Sequence, residues 1–230
     1  MDSIIRVINT DTKTEQEFDL INEIEEIEEF LNDMEDNYTI VSISDNYGFF
    51  KDLNITDTTI EDITELVELL ENDRTEIKEN CIKLKYYFEN NSVSIKNLVS
   101  DYNDIIDTHT YFTDCKTSEK WLENHFEEYS IFDINNWENV ARNFDTDLRD
   151  KFLSDLFVSV DFGEGYENLL ERFYTMDTYD IFSELNDICM FQHINFNLSN
   201  FIDWENMVKD LWSGGFYIDT FENGIIVHSC

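Results

Sequence analysis

The chain has 230 residues, and its 52 Asp and Glu against 15 Lys and Arg give a formal net charge of −37 at pH 7. That balance disfavours direct nucleic-acid binding, which needs a basic face against phosphate, and it disfavours docking on anionic lipid. Hydrophobic residues make up 42%, with 19 Phe, 11 Tyr and 4 Trp, so the chain has material for a core and is not an acidic disordered segment.

SIIRVIN over 3–9 reads as a strand. DLINEIEEIEEFLNDMED over 19–36 follows as a helix in which half of the residues are acids and none is basic. Ile21, Ile24, Ile27, Phe30, Leu31 and Met34 recur at helical spacing, giving one face to a core and the other to like charge. Asn22 is the expected cap, with Glu25 in the capping-box position. YTIVSIS over 38–44, rich in β-branched residues, is a second strand. Strand, helix and strand predict an N-terminal α+β unit over 1–56.

A central helical unit is expected over 57–103. TTIEDITELVELLEN (58–72) opens with Thr58 and Glu61 in capping-box spacing and carries Ile60, Ile63, Leu66, Val67 and Leu70 as an apolar stripe. RTEIKENCIKLKYYFEN (74–90) is a second helix, and SIKNLVSDY (94–102) a third that starts at Ser94.

Residues 104–230 are expected as an enlarged C-terminal α+β unit. DIIDTHTYF (104–112) is strand-like, and SEKWLENHFEEY (118–129) is an acidic amphipathic helix. NNWENVARNF (135–144) and DWENMVKDLW (203–212) share a Trp-Glu-Asn core that hints at a partial repeat. Gly214–Gly215 stop the last helix, and Asn223–Gly224 turn one strand into the next. With no proline and 6 glycines, no flexible linker is visible, and the α+β chain is expected to string its small units end to end as an elongated body.

The start, MDSIIRVINT, lacks the basic region and apolar run of a leader, and no apolar stretch approaches the roughly 18 residues of a membrane span. Cys81, Cys115, Cys189 and Cys230 are widely spaced and read as reduced thiols. Together these predict a cytoplasmic protein.

Enzyme signatures are not found. Glu25, Glu26, Glu28 and Glu29 could be drawn as a glycosidase dyad, but they read as a solvated helix face without the separately tuned pair such chemistry needs. His109, His125, His193 and His228 sit at no zinc spacing, and a strand-borne His109 six residues before Cys115 reads as structural, so no metal is expected. DTDLRD (145–150) and DFGEGYEN (161–168) lack the full ligand ladder of a calcium loop. Glycine-rich phosphate loops and nucleophile elbows are not found either, and SGGF (213–216) is a helix stop. The sequence predicts no enzyme and no cofactor.

The acids are spread along the whole chain, where they cost stability by self-repulsion. That cost points to a use for the field itself. Duplex DNA carries one negative charge per roughly 1.7 Å of axis, so the net charge matches roughly 60 Å of duplex. Rigidly held carboxylates at that density would occupy a Lys- and Arg-lined groove while offering no phosphodiester to cut.

Three stretches carry a family resemblance. They are IIRVIN with the acidic helix and YTIVSISDNYGF; TIEDITELVELLEN with SIKNLVSDYNDIIDTHTYFTDC; and FIDWENMVKDLWSGGFYIDTFENGIIV. In these the chain resembles the ArdA antirestriction proteins, acidic DNA mimics of phages and mobile elements that occupy the DNA site of Type I restriction-modification complexes. The resemblance covers about 1–130 and 200–230. Family members are usually shorter, and residues of about 131–200 look like an added or duplicated segment.

The resemblance implies a homodimer and a host Type I restriction-modification complex as partner, in the bacterial cytoplasm. The surrogate phosphates are expected to be Glu25, Glu26, Glu28, Glu29 and Asp33 in the first unit, Glu61, Asp62, Glu65, Glu68 and Glu71 in the second, and Glu123, Glu127 and Glu128 in the third. The alternatives are the same mimicry directed at a CRISPR or other nucleic-acid-binding defence complex, and an acidic immunity protein against a nuclease toxin.

Overall fold

The computed structural model of the chain describes residues 1–34, 37–53, 55, 58–73, 75–125, 136–160, 167–190 and 193–229. The fold is α+β, with two three-stranded sheets among many short helices. By its contacts the chain forms two compact units, Met1–Phe112 with Ile226–Ser229, and Thr113–Ile225.

In the first unit, strand β1 (Ser3–Asn9) is the centre of a sheet of order β2-β1-β3. Strands β2 (Glu15–Asp19) and β3 (Tyr38–Asp45) both pair with it antiparallel, with Ile5 opposite Phe18 on one side and Ile43 on the other. Ser3, Ile5, Val7 and Asn9 alternate inward, as the pleat of a half-buried strand requires. The sequence reading missed β2. Its EQEFD sequence buries only Phe18 and so shows no apolar alternation, and an exposed ion pair of 2.6 Å from Arg6 to Glu17 spans the pairing.

The acidic helix α1 (Ile24–Met34) therefore starts later than expected. Asn22 does not cap it. The Asp19 carboxylate accepts from the backbone N–H of Ile21 (2.9 Å) and Asn22 (3.1 Å), and the Asn22 side chain donates back to it at 2.7 Å. Ile27 and Phe30 are the buried residues of the helix among those described. At the end of β3, the Asp45 carboxylate accepts from the backbone N–H of Tyr47 (2.8 Å), Phe49 (3.0 Å) and Phe50 (2.9 Å), and Gly48 takes a left-handed φ of 70° inside the same turn.

Helix α2 (Ile60–Asn72) is capped by Thr59, whose side chain accepts from the N–H of Asp62, one residue later than expected. All five residues of the predicted stripe are buried. Helix α3 (Ile77–Asn91) ends at Ser92 in the left-handed region. Helix α4 (Ile95–Ser100) starts at Ser94 as expected, in a reciprocal capping box with Asn97. The strand expected over 104–112 is half helix: α5 runs Tyr102–Thr108, and β4 is only His109–Phe112. Tyr102 and Ile105 are buried at helical spacing, which overrides the β-branched pattern of the run.

Residues 1–56 and 57–103, expected as two units, share one continuous core that runs from Met1 through Ile5, Phe30 and Leu66 to Ile105. Physically, neither the three-stranded sheet nor the short helices could bury an apolar face alone.

In the second unit, helix α6 spans Ser118–His125, and the rest of its predicted length lies outside the described residues. Then come α7 (Trp137–Arg142), α8 (Arg149–Ser159), α9 (Glu167–Phe173), α10 (Thr178–Asp187) and α11 (Trp204–Ser213). Their core is aromatic: Phe152 lies 5.2 Å from Phe144, 5.0 Å from Phe182 and 5.5 Å from Phe201, ring centre to ring centre. The Arg149 guanidinium donates to the carbonyls of Phe173 (2.6 Å) and Met176 (2.8 Å), satisfying the end of α9. The two Trp-Glu-Asn segments both start helices, with Asn136 and Asp203 as side-chain caps.

Helix α11 stops at Gly214–Gly215 as expected, Gly215 taking a φ of 81°. Strands β5 (Phe216–Phe221) and β6 (Gly224–Ser229) follow, and the second sheet has the order β4-β6-β5. The turn is one residue earlier than expected. Glu222 carries the positive φ of 51°, and Gly224 is already the first, buried residue of β6. Among the described residues, no helix is long and apolar enough to cross a membrane.

Candidate functional site

The acidic surface is built by helix periodicity. In α1, burying Ile27 and Phe30 turns Glu25, Glu26, Glu28, Glu29 and Asp33 outward, and all five are exposed. Glu25 and Glu29 are one helical turn apart, so they repel one another along the axis. The last turn of α1 carries no base. In α2 the same geometry exposes Glu61, Glu65 and Glu68.

The remaining expected residues differ. Asp62 is half-buried, its backbone N–H held by the Thr59 cap. Glu71 is half-buried where its carboxylate meets the amine of Met1, so its charge is not presented to solvent like those of its neighbours. Glu123 on α6 is exposed but paired with Lys120 at 2.7 Å. Glu127 and Glu128 lie outside the described residues.

Several ion pairs join near neighbours on one helix: Glu79–Lys83, Lys120–Glu123, Lys151–Asp155 and Glu205–Lys209. Lys83 is buried, whereas the last three pairs are exposed and worth little in stability. They do, however, tie basic side chains down next to acids. The second unit adds exposed carboxylates that the sequence reading did not single out, at Glu138, Asp150, Asp180, Asp187 and Asp210. The signal was present: each lies on a helix that buries apolar residues on its other face, as Phe152, Leu153 and Leu156 in RDKFLSDLF.

Each unit also holds a polar cluster. In the first unit, His109 stacks on His228 with ring centres 4.6 Å apart and planes 10° from parallel. The Tyr86 hydroxyl lies 3.0 Å from Nε2 of His228, and the carbonyl of Ile105 lies 3.0 Å from Nδ1 of His109. Burial first, and then the charge of His228, pull the His109 imidazole down to about 4.

In the second unit, Asp114, Cys115 and His125 converge, their ligand atoms all within 4.8 Å of one another. The histidine beside Cys115 is thus His125, not the His109 that lies nearer in sequence. Cys115 is buried, Asp114 exposed and His125 half-buried. Burial and the Asp114 carboxylate both raise the Cys115 thiol above its ordinary range. Spacing could not reveal this set, because α6 must wind back over the preceding loop to bring His125 to it.

Compared with protein-family models, curated proteins and solved structures, the chain has no match. The likeness to ArdA proteins therefore rests on the sequence stretches quoted above.

Proposed function

We propose that the protein is a DNA mimic, not an enzyme, which occupies the DNA-binding groove of a host Type I restriction-modification complex and so blocks defence against phage or mobile DNA. The observation that supports this reading most is the set of exposed carboxylates on α1 and α2, unrelieved by bases on their own helices, together with further exposed carboxylates in the second unit. Held on short helices, these groups stand in for phosphates in front of a Lys- and Arg-lined groove. Opposite charge steers the encounter, and association slows as salt rises. With no phosphodiester to cut, the bound enzyme is simply occupied. A homodimer and a cytoplasmic setting belong to the same reading, by the resemblance to ArdA proteins.

The test is competition. Purified Type I complex is bound to labelled cognate duplex, and the protein is titrated in at several salt concentrations. Displacement of DNA that weakens with salt supports the reading, and failure to displace any DNA rejects it. Neutralising Glu25, Glu26, Glu28 and Glu29 together to Gln should raise the concentration needed for half-displacement by at least tenfold, whereas any one alone should cost little. The same assay on a CRISPR effector tests mimicry directed elsewhere. An immunity protein concentrates its charge on one patch, and the presence of exposed acids in both units disfavours that alternative.

A further inference from the structure

We propose that Asp114, Cys115 and His125 form a zinc site, with the fourth tetrahedral position open to solvent, that fastens the loop before α6 to the last residue of that helix. The donor set is one carboxylate, one thiolate and one imidazole, the ligand types that zinc takes and the wrong chemistry for calcium, which collects six to eight oxygens.

The two separations from Asp114 suit an ion between the groups, and all three ligand atoms lie within 4.8 Å of one another. Asp114 Oδ2 lies 3.3 Å from His125 Nε2 and 3.6 Å from Cys115 Sγ. A tetrahedral zinc with bonds of about 2.3 Å to sulfur and about 2.0–2.2 Å to nitrogen and oxygen separates its ligand atoms by roughly 3.3–3.7 Å.

The supporting contacts suit the same role. His125 Nδ1 lies 2.9 Å from the carbonyl oxygen of Trp121. A carbonyl can only accept, so Nδ1 carries the proton and Nε2 turns its lone pair toward Asp114. A lone pair and a carboxylate facing each other require a proton or a metal ion between them. Holding the distal ring N–H on a backbone carbonyl is the way metal-binding histidines are oriented. The Trp121 indole stacks on the imidazole at 4.9 Å and 13°, fixing its plane. Asn124 donates to Cys115 Sγ at 3.4 Å, which suits a thiolate. Asp114 is half exposed, so water reaches the open position.

Cobalt(II) is the probe. The full chain is freed of metal with a chelator, kept reduced and titrated with cobalt(II). The expected result is one saturable equivalent per chain, with a thiolate-to-cobalt charge-transfer band and intense tetrahedral absorption, both displaced by zinc. Cys115→Ser should abolish the charge-transfer band, His125→Gln should weaken affinity at least tenfold, and Cys189→Ser, at an exposed cysteine, should change neither. Weak uptake at many sites without a sulfur band overturns the proposal, as does a band that survives Cys115→Ser, because the first is the acidic surface and the second another thiol. X-ray absorption at the zinc edge on the unsubstituted protein decides the case if the variants fail to fold: one sulfur neighbour at about 2.3 Å supports the site, and an oxygen-only shell overturns it.

Discussion

The rings of His109 and His228 lie face to face, 4.6 Å apart, with the hydroxyl of Tyr86 on the second. His109 is buried and His228 half-buried, so a positive charge on one ring disfavours a positive charge on the other. Burial first, and then the charge of His228, hold the His109 imidazole down to about 4, against an ordinary value of 6.5.

Stability should therefore fall with acid in a defined window. Between about 6.5 and about 4 the unfolded chain binds a proton at His109 that the folded chain does not. The contribution is complete above 6.5 and is lost as pH falls toward 4. Proton linkage over that span sets an upper bound of about 3 kcal/mol, which solvent screening lowers to about 2 kcal/mol. Urea unfolding of wild type and His109→Gln at pH 7.0 and about 5 measures it, and the pH dependence of the variant should be the weaker. The difference between the two isolates the histidine from the carboxylates, whose protonation relieves repulsion and acts in the opposite sense.

Moderate salt should raise the melting temperature. The acidic faces of α1 and α2 repel themselves, and screening over about 8–10 Å at physiological ionic strength relieves that cost. Thermal scans from low to physiological sodium chloride check it, and a melting temperature that falls over this range contradicts the repulsion argument.

Asp45→Ala should destabilise the first unit by about 2–3 kcal/mol, because the backbone N–H groups of Tyr47, Phe49 and Phe50 lose a charged acceptor together. Phe49 and Phe50 are buried, so the strain reaches the core. Denaturant melts of this variant should show a lower midpoint at an unchanged slope, and Asp45→Asn should keep part of the loss back.

Ser92→Gly should stabilise by about 0.5–1 kcal/mol. Ser92 ends α3 at a φ of 51°, a position where glycine pays no Cβ penalty. The residue is exposed, so the change removes no buried contact. A higher denaturation midpoint checks it.

Much of the fold was legible because its signals are local. The alternation of SIIRVIN, the stripe of Ile60, Ile63, Leu66, Val67 and Leu70, the Ser94 cap and the Gly214–Gly215 stop all act within a few residues, and each is found where the pattern implied. The misses share one cause. Strand β2 has little pattern of its own and is a strand because β1 offers it a ladder, while residues 102–108 are a helix because Tyr102 and Ile105 are drawn into the core of unit one.

The candidate sites divide along the same line. Carboxylates such as Glu25 and Glu65 are exposed because a helix that buries its stripe must turn its opposite face to water, and that follows from a period of about 3.6 residues alone. Which acids keep a free charge required the fold, since only packing brings Glu71 to the amine of Met1. The convergence of Asp114, Cys115 and His125, and the stacking of His109 on His228, belong wholly to tertiary structure. Charge and periodicity are properties of the chain read residue by residue. Distances between side chains remote in sequence exist only once the core has decided which faces meet.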